Sequence, residues 1–388
     1  MLPIYLDYNA TTPLRPEILE AMLPYLQMHF GNPSSIHWAG RRAKQGLETA
    51  REQVAALIHC RPAEILFTSG GTESNNLALT GVLRSMHARG SHVVTTAIEH
   101  SSILEPLRAM TNTGVSFTLL SVNDEGRVNT EDLGSAIRPD TTLASIGVAN
   151  HEIGTIQTIT ELSRVTKERK ILLHVDAVQA AGKLPIDVNA LGVDLLSLSA
   201  HKICGPKGIG ALYVRKGTGI TPLMYGGPQE REKRAGTENV AAAVGFGVAA
   251  TLAAQELETN AAHCLHLTSK LRDGVVQRIR GSCVNSPARD CLPNTVNIGF
   301  ADATGEGLMM GLDLAGIAVS TGSACAAGSL EPSHVLLALG RDHDAAKSAL
   351  RFSVGKDTTE ADIDYLLDVL PKVVERVRAA HSGLSNED

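Results

Sequence analysis

No stretch of this chain joins a basic start to a long apolar run. The first residues, Met1-Leu2-Pro3-Ile4-Tyr5-Leu6-Asp7, do not read as a secretory signal. The longest weakly polar run, Val240 to Ala254, is rich in alanine and glycine and too short to span a bilayer. Lysine and arginine nowhere cluster with interleaved aromatics, and the formal net charge is -6, which argues against a nucleic-acid partner. The six cysteines, Cys60, Cys204, Cys264, Cys283, Cys291 and Cys325, form no C-x-x-C pair. Their spacing suggests neither a zinc site nor a disulfide framework. There is no internal repeat and no low-complexity segment. The expectation is a soluble cytoplasmic protein that engages no membrane, no nucleic acid and no metal.

What is present is a globular composition, 43% apolar, in 388 residues, which is long for a single core and favours two domains. From residue 14 to about 215 the pattern alternates between helix and strand. Ile36, Ala39, Ala43, Leu47, Ala50, Val54 and Leu57 recur at helical spacing. Seven short apolar strands are predicted at Ile65-Phe67, His92-Thr96, Val115-Leu120, Thr142-Val148, Ile171-Val175, Val193-Leu198 and Ile209-Val214. Such alternation predicts an α/β fold with a mostly parallel seven-stranded sheet covered by helices. A helix over about 237–258 closes this part. An α+β mix follows: a helix over Leu271–Arg278, strands at Thr295–Phe300, Ile317–Val319 and Leu350–Val354, a helix near Pro332–Leu339 and a last helix over Glu360–Ala379. The residues from Ser382 on read as frayed.

Two of these strands end in chemistry. One is followed by Asp176-Ala177-Val178-Gln179, the other by Ser199-Ala200-His201-Lys202. An acid and a lysine at neighbouring strand ends are what pyridoxal phosphate requires: the amine condenses with its aldehyde, and the carboxylate keeps its pyridine nitrogen protonated. Asp after a strand is also a common helix cap. Gln179 could donate to the cofactor's phenolic oxygen, and Ser199 and His201 could bond its phosphate. Lys207, between Pro206 and Gly208, reads as an exposed turn lysine. The segment Thr68-Ser69-Gly70-Gly71-Thr72 runs from strand into helix, where free amides and two glycines suit a phosphate, although such turns often serve geometry alone. His100 could stack on a pyridine ring or cap the next helix. Asn150 follows a strand end, where ligands gather in open α/β sheets. Arg351 alternates with apolar neighbours in its strand, and its fork suits a carboxylate or a solvated strand face. Cys325 lies among small residues, Ser320 to Ser329, as a thiol that must travel would, or as an inert one.

Together these residues carry a resemblance. The chain resembles the cysteine desulfurases of the NifS/IscS type, within the fold-type I, aspartate aminotransferase-like, pyridoxal phosphate enzymes. The likeness spans Tyr5 to Pro13, Phe30 to Ser35, Thr68 to Ser74, His174-Val175-Asp176, His201-Lys202 and Arg234 to Thr237. Ser323-Ala324-Cys325 through Ser329-Leu330-Glu331-Pro332-Ser333 is its most specific part, similar to the subgroup with a long mobile cysteine loop.

The resemblance implies a large cofactor domain at 14–258. It implies a small one from 1–13 and 259–388, which carries the cysteine loop at about 321–331. Lys202 carries the cofactor, Asp176 pairs with its nitrogen and His100 stacks on it. Asn150 and Gln179 touch its oxygen side. Gly71, Thr72, Ser199 and His201 hold its phosphate. The threonine matching Thr237 reaches the neighbouring subunit's phosphate, so a homodimer is implied. Arg351, Asn32 and Asn150 bind L-cysteine, Arg351 and Asn32 through its carboxylate, and Cys325 takes its sulfur. The product is L-alanine, and the sulfur is destined for iron–sulfur cluster assembly or another acceptor protein. An aminotransferase, or a lyase acting on a related amino acid, is the rival enzyme reading; a non-catalytic scaffold is the rival outside enzymes. Three positions depart from the family's frequent pattern: Pro228, Cys204 in place of tyrosine, and His151 in place of asparagine.

Overall fold

The computed structural model describes residues 3–321 and 331–384. Twelve strands are described: β1 Ile4–Tyr5, β2 Ile65–Thr68, β3 His92–Thr96, β4 Ser116–Leu120, β5 Thr141–Gly147, β6 Leu172–Asp176, β7 Leu195–Ser199, β8 Gly210–Val214, β9 Ser282–Val284, β10 Thr295–Phe300, β11 Ile317–Ala318 and β12 Ala349–Ser353. Seven form one sheet in the order β2-β8-β7-β6-β5-β3-β4. Its pairs are parallel except those of β8, which runs antiparallel to both β2 and β7. All seven predicted strands are therefore present, within one to two residues at their ends.

Residue alternation explains how this sheet is covered. Phe67, Val94, Ala144 and Leu196 face one apolar layer, and their neighbours Leu66, Val93, Leu143 and Leu195 face the other. A strand buried on both faces carries a near-continuous apolar run, as a parallel sheet under helices requires. Helix α1 (Pro16–Gln27) and helix α2 (Trp38–Leu57) cover the first face together with the helix Val240–Gln255. In α2, Leu47 and Val54 are buried, each worth about 1.5–3 kcal/mol of apolar transfer. Helix α3 (Gly71–Ser85) and helix α4 (Ser101–Met110) pack on the second.

Several boundaries differ from expectation. Ile36 is not on the helix face; it is 90% exposed, because His37 caps α2 by accepting from the Gly40 amide and the chain turns before it. The helix expected over 237–258 starts at Val240, where Asn239 caps it through the Ala242 amide. A second helix, Leu257–Arg278, follows it at a bend of 71°, far longer than the 271–278 segment foreseen. The last helix, Glu360–Leu384, continues past Ala379, so residues 382–384 are helical rather than frayed. No single helix among the described residues is long and apolar enough to cross a membrane.

A second apolar cluster gathers around the three-stranded antiparallel sheet β12-β10-β9, where Val296, Ile298, Leu350 and Phe352 meet Leu267, Leu271, Leu366 and Leu370. The amino-terminal segment joins it. β1 pairs with β11, and Asp7 bridges to Ser353.

Candidate active site

Because β8 reverses twice, β2 runs parallel to β7, and the carboxyl ends of β2, β3, β5, β6 and β7 share one edge of the sheet. Ligands of open α/β sheets collect at that edge. A cavity of about 260 Å³ lies there. Gly71 and Thr72 reach it after β2, His100 after β3, Asn150 after β5, Asp176 and Gln179 from β6, and Ser199, His201 and Lys202 from β7.

A single turn of 3₁₀ helix, Ala200–Lys202, brings Lys202 round from the end of β7. Its Nζ donates to Ala10 O at 2.9 Å and to Asn9 O. Beside it, His201 Nδ1 pairs with Thr11 Oγ1 at 3.1 Å. Burial, followed by the charges of Lys202 and Lys207, pushes His201 down to about 4, so it is neutral at pH 7. Lys207 itself is exposed.

Asp176 ends β6 on the cavity and holds a turn rather than capping a helix. Oδ1 accepts from the Val178 amide at 2.9 Å and holds the turn after β6. Oδ2 accepts from Asn75 Nδ2 at 2.7 Å, and Asn75 also donates to Ser102 Oγ at 2.8 Å. His100 caps α4, its Nδ1 accepting from the Ser102 amide at 3.1 Å, and it also lines the cavity. Burial lowers its pKa, although the Asp176 charge opposes this. Asn150 donates to Ile98 O at 2.9 Å and accepts from the Glu152 and Ile153 amides at 2.8 and 3.0 Å. Its side chain therefore shapes the turn after β5 as well as the wall.

These walls fit pyridoxal phosphate. Ser199 Oγ and Asn75 Oδ1 are buried on the cavity with no hydrogen-bond partner among the described residues, which is costly unless a ligand satisfies them. A Cβ at Gly71 would come within 2.7 Å of Val178 Cγ2, so glycine keeps that approach open. Gly71 begins α3, whose first amides have no intrahelical partner and suit an anion.

Residues 4–366 match the family described as Aminotransferase class-V. The chain is 50% identical over 375 residues to a cysteine desulfurase IscS of Dictyoglomus turgidum, covering 97% of this chain and 95% of that one. The chain belongs to the class-V aminotransferase family, among its cysteine desulfurases. Two solved structures are similar to it. A NifS-like protein superposes with a TM-score of 0.91 at 39% identity, covering 97% of this chain and all of that one (100%). SspA in complex with cysteine superposes with a TM-score of 0.81 at 34% identity, covering 92% and 100%.

The remaining residues expected of a cysteine desulfurase stand elsewhere in the chain. Thr237 is exposed and lines a separate recess with Ser69 and Arg234. Asn32 is exposed on a turn, where its Oδ1 accepts from the Ser34 amide at 2.9 Å. Arg351 is not on a solvated strand face. It is 1% exposed, donating to Asp7 Oδ1 at 2.6 Å and to His151 O at 3.1 Å. Cys325 lies outside the described residues, as does most of its loop.

Four residues near this cavity went unassigned in the sequence reading. Glu99 lines it and is pushed up to about 7 by burial, accepting from Thr96 Oγ1 at 2.7 Å and the Gly147 amide at 3.0 Å. His151 lines it, its ring edge-on to His100 with centroids 5.3 Å apart, and burial takes its pKa well below the usual value. For these two, position just past a strand end was a usable signal. Asn9 and Lys183 reach the site through contacts that no local pattern announces.

Proposed function

We propose that this protein is a pyridoxal phosphate-dependent cysteine desulfurase. It takes sulfur from L-cysteine, releases L-alanine and holds the sulfur on Cys325 as a persulfide. The observation that carries this reading is the meeting of Lys202, Asp176 and the unpartnered Ser199 Oγ on one cavity, in a chain half identical to an IscS.

When bound, pyridoxal phosphate supplies an electron sink for the substrate's Cα. Gly71, Thr72, Ser199 and the neutral His201 hold its phosphate by hydrogen bonds. Asp176, oriented by Asn75 and the Val178 amide, keeps a proton on its ring nitrogen. His100, fixed by its cap on α4, would present a neutral imidazole to the ring, and Gln179 and Asn150, which line the same cavity, would contact the cofactor's oxygen. Lys202 holds the cofactor and then accepts the Cα proton as general base. Arg351 and Asn32 take the substrate carboxylate, Arg351 by exchanging it for Asp7. The Cys325 thiolate attacks the substrate sulfur. The Cβ–S bond breaks, a sulfur–sulfur bond forms, and the electron pair left on carbon is protonated to give alanine. SspA, similar over 92% of this chain, is a structure in complex with cysteine, which favours cysteine as the substrate.

The reading extends to a cytoplasmic homodimer that hands sulfur to an acceptor such as an iron–sulfur scaffold protein. Thr237, exposed and lining a different recess from Lys202, would serve a second copy. Phe30, Ile36 and Trp38, which are 74%, 90% and 69% exposed, supply apolar surface for its interface. The large unit is 14–258; the small one combines 1–13 with 259–388, consistent with the separate apolar cluster around β10 and β12.

The test is to mix the cofactor-loaded protein with L-cysteine and no other thiol, then measure alanine and the mass of the Cys325 peptide. Alanine together with a persulfide on Cys325 is the expected result, and Cys325→Ala should stop it. Alanine formed at the normal rate by Cys325→Ala would overturn the mechanism. Amino transfer to a keto acid would replace it by transamination.

A further inference from the structure

Lys183 stands four residues past Gln179, half-buried, with no carboxylate among its described partners. Its Nζ donates to Gln179 Oε1 at 2.9 Å and to Asn9 Oδ1 at 3.1 Å. An ammonium has donors only, so it selects the oxygen end of the Gln179 amide. The NH₂ end is then turned away, where Nε2 donates to Asn9 O at 2.9 Å. The same carbonyl accepts from Lys202 Nζ. An amide NH₂ carries two hydrogens, and Gln179 lines the cavity, so the second remains for a ligand there.

Asn9 is the strut of this arrangement. Its Nδ2 donates to Thr295 Oγ1 at 2.8 Å and to His151 O at 3.1 Å, and its Oδ1 also accepts from Asn294 Nδ2 at 3.0 Å. It is tied at once to the three-stranded sheet and to the cavity wall. Burial, followed by the charge of Lys202, pushes the Lys183 amine down to about 7. The neutral amine keeps two hydrogens, one for each of the two oxygens it touches, Gln179 Oε1 and Asn9 Oδ1.

We propose that Lys183 is a positioning residue, which locks the Gln179 amide with its NH₂ edge toward the cavity so that Gln179 can only donate to the oxygen of a bound cofactor. The inference rests on the pyridoxal phosphate reading above. Without Lys183 only the Asn9 carbonyl, which it shares with Lys202, holds the amide's NH₂ end, and an amide turned over would set its oxygen against a ligand oxygen.

The experiment titrates apo protein with pyridoxal phosphate and follows the visible absorbance and its pH midpoint. It compares wild type, Lys183→Met, Gln179→Met and the double variant, with the thermal midpoint as a check on folding. Lys183→Met is expected to weaken cofactor uptake about ten-fold and to move the absorbance midpoint by about one pH unit, as loss of an orienting partner does elsewhere. Gln179→Met should do the same and the double variant no more, because one residue acts through the other. Lys183→Arg keeps the donors, and the recess of about 80 Å³ beside Lys183 offers it room, so it should restore the wild-type spectrum. Should Lys183→Met not fold, Gln179→Glu asks the same question with Lys183 in place, since it keeps an oxygen for the lysine and removes the NH₂. Additive shifts in the double variant, a wild-type spectrum in Lys183→Met or Gln179→Glu, or Lys183→Arg behaving like Lys183→Met would overturn the inference. A wild type that takes up no pyridoxal phosphate would sink the cofactor reading, and this inference with it.

Discussion

Asp176 ends β6 at the rim of the seven-stranded sheet, whereas Arg351 lies in the middle of β12 in the three-stranded one. Asp176 is half-buried, held by a turn amide and by Asn75, and borders the cavity. Arg351 is 1% exposed and already engages Asp7 at 2.6 Å. His174, two residues before Asp176, resembles Arg351 in this respect. It is buried in mid-strand, and its two ring nitrogens pair with Ser145 and Ser197, each at 2.9 Å. A strand end can present a polar group to a ligand, because the backbone there no longer needs the sheet. A strand middle must satisfy its polar group within the protein, or desolvation goes uncompensated. On this view Asp176 is built for chemistry, and Arg351 and His174 owe part of their setting to the fold.

Substitutions at Arg351, His174 and Asp176 sharpen or break that contrast. Arg351→Met should cost the most stability, about 3–5 kcal/mol, since it leaves Asp7 without its buried partner. Adding Asp7→Asn should recover part of this in denaturant melts. A loss below 1 kcal/mol would mean that Arg351 is kept for substrate alone. His174 comes next. Burial holds it down to about 4, against an ordinary value near 6.5. The unfolded chain therefore binds this proton first, and the stabilisation present above about pH 6.5 is lost as pH falls toward 4. The loss amounts to roughly 3 kcal/mol. Between pH 7 and 4 wild type should lose about that much more stability than His174→Gln in melts; parallel curves would contradict the mid-strand argument. Asp176→Asn should change stability least, by under about 1 kcal/mol. The unpartnered Asn75 Oδ1 can accept from the new amide once Asn75 turns over. Alanine formation should nevertheless fall about a hundred-fold if Asp176 has the proposed role, because the charge that would pair with the ring nitrogen is gone. A large fall in the thermal midpoint would place Asp176 with Arg351.

The strand ends were legible in the sequence because their signals are local. His92–Thr96 and Thr295–Phe300 are apolar runs bounded by turn residues, and the structure keeps both with the same limits. Gly71, Asp176, Ser199 and Lys202 follow from where the runs Ile65–Phe67, Ile171–Val175 and Val193–Leu198 stop. The bend between the helices Val240–Gln255 and Leu257–Arg278 was less legible, since alanine and leucine continue through it without a breaker. Arg351 was ambiguous for a different reason. Alternation of apolar and polar residues is read as one wet face, and here both faces of β12 are covered.

By itself the sequence determined which reactive groups stand at strand ends and that the sheet carrying them is mostly parallel, because backbone periodicity is written within ten residues. Only the tertiary structure decided which groups share a cavity, which are already engaged and which are neutral. Asn9 meets Thr295 and Gln179 across 286 and 170 residues of chain. Glu99, His201 and Lys183 owe their shifted protonation to burial that other segments supply. Desolvation and long-range hydrogen bonds depend on what the rest of the chain places around a residue, and no local pattern encodes that.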